Sequence, residues 1–151
     1  MSSTAPADSR PGPEVPLVER APAVAEYQRL RASTGWSQVS DDCAGAGMER
    51  ALFSVCAVCG GEVIGCGRVV GDGGLYFYVQ DVIVLPDYRG RGIGRSIMSA
   101  IMGHIESHAR PGAFIGLMAA RGYAGFYERC GFARRPDEAP GMFRVWKTGK
   151  P

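Results

Sequence analysis

Val82-Ile83-Val84-Leu85-Pro86-Asp87-Tyr88-Arg89-Gly90-Arg91-Gly92-Ile93-Gly94-Arg95-Ser96 is the stretch on which the fold turns. It opens as an apolar strand that Pro86 stops; glycines then follow at every second position, and helical spacing takes over. Glycine has no Cβ, so the backbone can curl until successive N–H groups point into one small space. The first turn of the helix adds its own unpaired donors and the positive end of its dipole. Such a junction binds phosphate. Arg89, Arg91 and Arg95 bring three positive charges to it, which points to a diphosphate or a phosphorylated nucleotide. Spacing excludes two other phosphate loops. No Gly-x-x-x-x-Gly-Lys-Ser/Thr run exists, and Gly90, Gly92 and Gly94 give Gly-x-Gly-x-Gly, not the Gly-x-Gly-x-x-Gly of a dinucleotide site.

Upstream, Leu75–Leu85 reads as a long strand apolar on both faces, hence central in its sheet. Before it, the runs Ala51–Val58 and Glu62–Val70 are joined by Cys59-Gly60-Gly61 and predict a hairpin. A short strand, Val15–Glu19, leads through Pro22 into a helix from Ala23 to Ser33, where Val24, Tyr27 and Leu30 recur at helical spacing. Gly35 ends that helix. Trp36 to Gly47, rich in Ser, Asp, Gly and Ala, reads as a loop over a binding site. Residues 1–13 read as a disordered leader, with the domain spanning 14–151. Downstream, Ile97, Met98, Ile101, Met102 and Ile105 share one helix face ending near His108, and Ala113–Met118 reads as a strand. Tyr123–Arg129 reads as a short helix and Met142–Lys147 as a last strand. The order β-α-β-β-β-α-β-α-β is an α/β (α+β) single domain with a mixed, mostly antiparallel central sheet flanked by helices.

A chain of 151 residues with 46% hydrophobic content is long enough for one sizeable core. Its 17 basic and 15 acidic residues leave +2, too weak a field to mark a nucleic-acid or membrane-surface protein. Five cysteines at irregular spacing fit reduced thiols and a cytoplasmic location. No apolar run has the length of a signal peptide core or a membrane span. No metal site is expected. Cys56 and Cys59 lie three apart on a strand and face opposite sides, and His104 and His108 lack the intervening Glu of a zinc helix. Arg134-Arg135 without aromatic repeats makes no RNA surface, and Cys130, with no base evident beside it, reads as packing.

Arg89-x-x-Gly92-x-Gly94 matches the Arg/Gln-x-x-Gly-x-Gly/Ala signature of the GNAT superfamily of acyl-CoA-dependent N-acetyltransferases. Gly65-Cys66-Gly67-Arg68-Val69-Val70, Asp81-Val82-Ile83-Val84-Leu85-Pro86 and Phe126-Tyr127-Glu128-Arg129-Cys130-Gly131-Phe132 resemble successive blocks of the same family, over residues 15 to 147. The resemblance implies a GNAT-like fold and acetyl-CoA as co-substrate. The pyrophosphate would lie on Arg89, Gly90, Arg91, Gly92, Ile93, Gly94, Arg95 and Ser96, the pantetheine along Val82, Ile83 and Val84, with Phe126 nearby. In the family the central strand splays from its neighbour here, freeing backbone groups for the pantetheine amides. An N–H near Val82 or Ile83 would polarise the thioester carbonyl, a role worth about 3 kcal/mol for one donor.

Attack by an amine on a thioester needs the neutral amine, and an aliphatic ammonium of pKa about 10.4 is mostly charged at pH 7. Tyr127 matches the family tyrosine near the CoA sulfur and is the candidate general acid. Polyamine acetyltransferases, which this sequence resembles locally, carry Glu-Asp where this chain has Gln80-Asp81. Asp81 is a base acting through water, an attractor of a cationic acceptor, or a structural residue; Gln80 orients a water or the amine. Alternation sends the two to opposite faces unless a bulge intervenes. Acceptor contacts are expected from Tyr27, Leu30, Arg31, Trp36, Tyr78, Met142 and Phe143. The reading is direct acetyl transfer to a small-molecule primary amine, with no nucleic acid, membrane or metal, and a homodimer is compatible with it. The alternatives are a protein or peptide N-acetyltransferase and a non-catalytic acyl-CoA-binding regulatory module.

Overall fold

The computed structural model describes residues 15–147. The leader expected over residues 1–13 lies outside them. The described residues fall into two compact units that divide after Leu117.

The first unit holds a five-stranded sheet in the order β1-β2-β3-β4-β5. These strands are Leu17–Val18, Phe53–Cys59, Glu62–Gly71, Tyr76–Val84 and Phe114–Gly116. All neighbours are antiparallel except β4 and β5, which are parallel. Gly60 and Gly61 both take positive φ, which closes the β2–β3 hairpin as a two-residue turn. One face carries α1 (Val24–Ala32), whose Leu30 is enclosed among Cys56, Val63, Cys66 and Ile83. The other face carries α3 (Ile93–His108), which buries Ile93, Ile97, Met98, Ile101 and Ile105. Gly65 and Gly67 on β3 let α3 approach closely: a Cβ at Gly67 would lie 2.6 Å from Ile97 Cγ2 and 2.8 Å from Ile101 Cδ1. Gly67→Ala is therefore expected to lower stability by about 1–3 kcal/mol through overpacking, measured by urea unfolding.

Two expectations are corrected. The segment read as a loop from Trp36 to Gly47 contains α2 (Asp41–Glu49). Ser40 caps it by accepting from Cys43 N at 3.2 Å, Asp41 and Asp42 sit at the positive end of its dipole, and Ala44 and Met48 pack with Tyr27 of α1. Its glycines and acids mask a short amphipathic helix that is secured by its cap. The strand read at Met142–Lys147 does not form, because these residues have no pairing partner among the described residues; Met142, Phe143, Val145 and Trp146 are all exposed.

The second unit contains α4 (Ala124–Arg129). Gly131, at φ 95°, ends it with Phe132 N–H donating to Tyr127 O and Gly131 N–H to Glu128 O.

Candidate active site

The pairing of β4 with β5 runs from Tyr76/Phe114 to Tyr78/Gly116 and stops, while β4 continues to Val84. Beyond Tyr78, β4 is hydrogen-bonded on its β3 side, and within the first unit no described strand pairs with its other edge. Leu85 N–H donates to Ile64 O of β3. By the alternation of a strand, Ile83 N–H is turned to β3 as well, and those of Val82 and Val84 face the open edge. Of the two amides singled out above, Val82 is the one on the open side. Arg89 Nε donates to Val84 O at 3.0 Å, fastening the loop to the end of the strand.

The chain leaves β4 through a 3₁₀ turn, Pro86–Tyr88, and enters α3 over Gly90 and Gly92. Both have positive φ, 77° and 80°, the left-handed region where a Cβ is costly. Gly92 is the N-cap of α3 and carries no side chain to cap it, and the first helical bond is Ser96 N–H to Gly92 O. The amides of Ile93, Gly94 and Arg95 precede that bond and have no intrahelical acceptor. Nothing lies within 4 Å of where Cβ atoms at Gly90 and Gly92 would stand, so the space beside these two glycines at the start of the helix is open. Arg89, Arg91 and Arg95 are exposed around it, Arg91 resting over the Tyr88 ring at 5.4 Å. The residues present fit a diphosphate.

The bulge that Gln80 and Asp81 would need is there. On β3, Cys66 pairs with Ile83 and Arg68 with Gln80, so Gly67 alone faces Asp81 and Val82. Asp81 takes φ 52°, the sole positive φ outside glycine among the described residues. Gln80, paired with Arg68, shares its face of the sheet; Asp81, flipped by the bulge, joins them. Gln80 Nε2 reaches Asp81 Oδ1 at 3.5 Å, and Arg68 Nε donates to Asp81 Oδ2 at 2.7 Å. Asp81 is buried, with 3% exposure, so its charge is matched by Arg68 and not offered to solvent. Arg68 was missed in the sequence. Its signal was a lone basic residue in an otherwise apolar strand.

The expected acceptor residues fall in different settings. Tyr27 and Leu30 are buried in α1, Leu30 completely, so its side chain serves packing. Arg31 Nη1 donates to Tyr27 Oη at 2.9 Å, and its guanidinium stands 5.8 Å from the half-buried Trp36 ring. Burial pushes the Tyr27 phenol up, and the charge of Asp81 adds to this. Tyr78 is half-buried, with its phenol also raised by burial. In the second unit Met142 and Phe143 are exposed. There too, Tyr127 packs edge-on against Phe126 and Phe132, at 5.0 and 6.3 Å between ring centroids. Its phenol is pushed up to about 12, first by burial and then by Cys130 and Tyr123.

A family model for the acetyltransferase (GNAT) domain matches residues 50–134, more than half of the chain and the whole of the strand, loop and helix just described. The chain belongs to the GNAT acetyltransferase family. Among solved structures, this GNAT protein is 31% identical to a protein of unknown function and probable acetyltransferase from meticillin-resistant Staphylococcus aureus. The TM-score is 0.84, with 88% of this chain and 100% of that one covered. The GNAT-like fold expected from the sequence, a mixed, mostly antiparallel sheet flanked by helices, is thus the fold found, with five strands in the sheet among the described residues. Among curated relatives it is 30% identical over 82 residues to an uncharacterized N-acetyltransferase of Porphyra purpurea, covering 54% of this chain and 46% of that protein. It is 34% identical over 82 residues to serotonin N-acetyltransferase 2, chloroplastic, of Oryza sativa subsp. japonica, covering 54% and 40%. The chain spans less than half the length of these curated relatives. GNAT proteins generally use acetyl-CoA. Among the described residues no helix is long and apolar enough to cross a membrane, and no group of His, Cys, Asp or Glu could hold a metal ion.

Proposed function

We propose that this GNAT protein transfers the acetyl group of acetyl-CoA directly to the primary amine of a small molecule. What carries the reading is that the open edge of β4 runs straight into the uncapped glycine start of α3. Bound there, acetyl-CoA supplies an activated acetyl thioester. The amides of α3's first turn would take the diphosphate, with the arginines adding charge, and the outer edge of Val82–Val84 would bond the pantetheine as a neighbouring strand does. Val82 N–H would stabilise charge growing on the thioester oxygen. The acceptor ammonium would first lose a proton to water oriented by Gln80; the neutral nitrogen would then bond to the carbonyl carbon as the carbon–sulfur bond breaks, the leaving sulfur taking the proton that the family resemblance assigns to Tyr127, and the second N–H proton would return through water to that phenol.

The rice relative is named for serotonin, a primary amine, which supports the acceptor class. The described cysteines are all free, in keeping with a reducing cytoplasm, the location we assign. Gln80, where the resemblance to polyamine acetyltransferases implies a carboxylate, favours a second reading, a regulatory module that binds acyl-CoA without turnover. A panel of amines with free-thiol detection separates the two. Acetyl-CoA should raise the melting temperature under both readings, and only a transferase releases thiol when an amine is added. No thiol with any amine, in a protein that acetyl-CoA stabilises, would leave the module.

A further inference from the structure

We propose that the largely buried Arg68–Asp81 ion pair is a positioning device: it holds the β4 bulge and so aims the Val82 N–H, and Asp81 acts through the backbone, not as the proton acceptor. This rests on the transferase reading above. A non-glycine residue at positive φ is strained, and such a conformation persists only where its surroundings over-determine it. Around Asp81 they do. Arg68 Nε holds Oδ2 at 2.7 Å, Gln80 Nε2 approaches Oδ1 at 3.5 Å, and Cys66 Sγ donates to the Asp81 main-chain oxygen at 3.3 Å. The other arm of Arg68 reaches Gly47 O of α2 at 3.0 Å, so the bulge is tied to that helix as well as to β3. The Asp81 side chain is 2% exposed and that of Arg68 15%. A carboxylate enclosed in this way, with one oxygen on a guanidinium, is poorly placed to collect a proton from an incoming amine. Its removal would leave a largely buried cation unpaired and release the backbone at the residue just before Val82.

Asp81→Asn keeps the size and an acceptor for Arg68, and Asn, like Asp, visits the left-handed region, so kcat is expected to fall by less than about tenfold. Asp81→Ala has neither property and is expected to lower kcat by about 100-fold. The CoA dissociation constant, set at the α3 loop, should stay close to wild type in both variants. The acidic limb of the pH–kcat profile should keep its position in Asp81→Asn. If Asp81→Ala does not fold, Arg68→Gln takes its place, with the same pattern of lowered kcat and unchanged CoA affinity; unchanged kcat in it would overturn the proposal. So would a loss of about 10³-fold in Asp81→Asn together with the acidic limb, since that is what losing a general base does. A readout independent of turnover is the intraresidue amide–Hα NOE of residue 81, which is strong only at positive φ, read together with the Val82 amide shift as a marker of that amide's surroundings. The NOE should be strong and the shift unchanged in wild type and Asp81→Asn, with the NOE weakened and the shift moved in the alanine variant (or, if that does not fold, in Arg68→Gln). Should the wild-type protein acetylate no amine, the transferase reading fails, and these spectra alone decide whether the pair holds the bulge.

Discussion

Gly92→Asp is expected to weaken CoA binding by about 100-fold or more, the cost of a carboxylate about 4 Å from a diphosphate at intermediate dielectric. The same variant should fold. Residue 92 sits at φ 80° with open space where its Cβ would go, so the substitution meets no side chain. An L residue there is strained by about 1–2 kcal/mol, Asp being among those that tolerate it best, and a carboxylate at an N-cap offsets part of that by accepting from the helix amides. Affinity and stability therefore separate: calorimetric titration with CoA loses its signal while the thermal midpoint moves by a few degrees. Gly92→Asp binding CoA as wild type does would remove the first turn of α3 from cofactor recognition.

Tyr127→Phe is expected to lower kcat by about 10²- to 10⁴-fold, the range for a lost general acid, with CoA affinity close to wild type. Phenylalanine keeps the edge-on contacts with Phe126 and Phe132, so stability should change little. Since burial pushes the phenol up to about 12, Tyr127 stays protonated across the working range. The sign is favourable for an acid: its donor form is lost only as pH rises through that raised value. The alkaline limb of the wild-type pH–kcat profile should therefore show no fall from Tyr127 near pH 10, the ordinary tyrosine value. Steady-state kinetics of the variant and a wild-type profile to pH 10.5 check both points; turnover unchanged in Tyr127→Phe would take this residue out of the chemistry.

The part of the site written in local sequence was legible. Gly90 and Gly92 are glycines because the chain needs positive φ there, and that need leaves a spacing pattern readable without coordinates. The apolar stripe of α3 and the Gly60-Gly61 turn are local in the same sense. What depends on a partner strand was not legible. The bulge at Asp81 arises from a register mismatch with β3, and no periodicity in β4 announces it. Arg68 acquires its role only when β3 sets it opposite Gln80. Two errors have matching causes. The α2 segment has few apolar residues because it buries only Ala44 and Met48, and its cap at Ser40 was the stronger signal. Met142–Lys147 has strand-like residues, but a strand needs a ladder partner, which the described residues do not supply.

Calorimetric titration of the folded protein with CoA and, separately, with pantetheine, which lacks the diphosphate, tests the central assignment most directly. The account predicts saturable heat with CoA and none with pantetheine at the same concentrations. Equal binding of the two, or no heat with CoA, would contradict it.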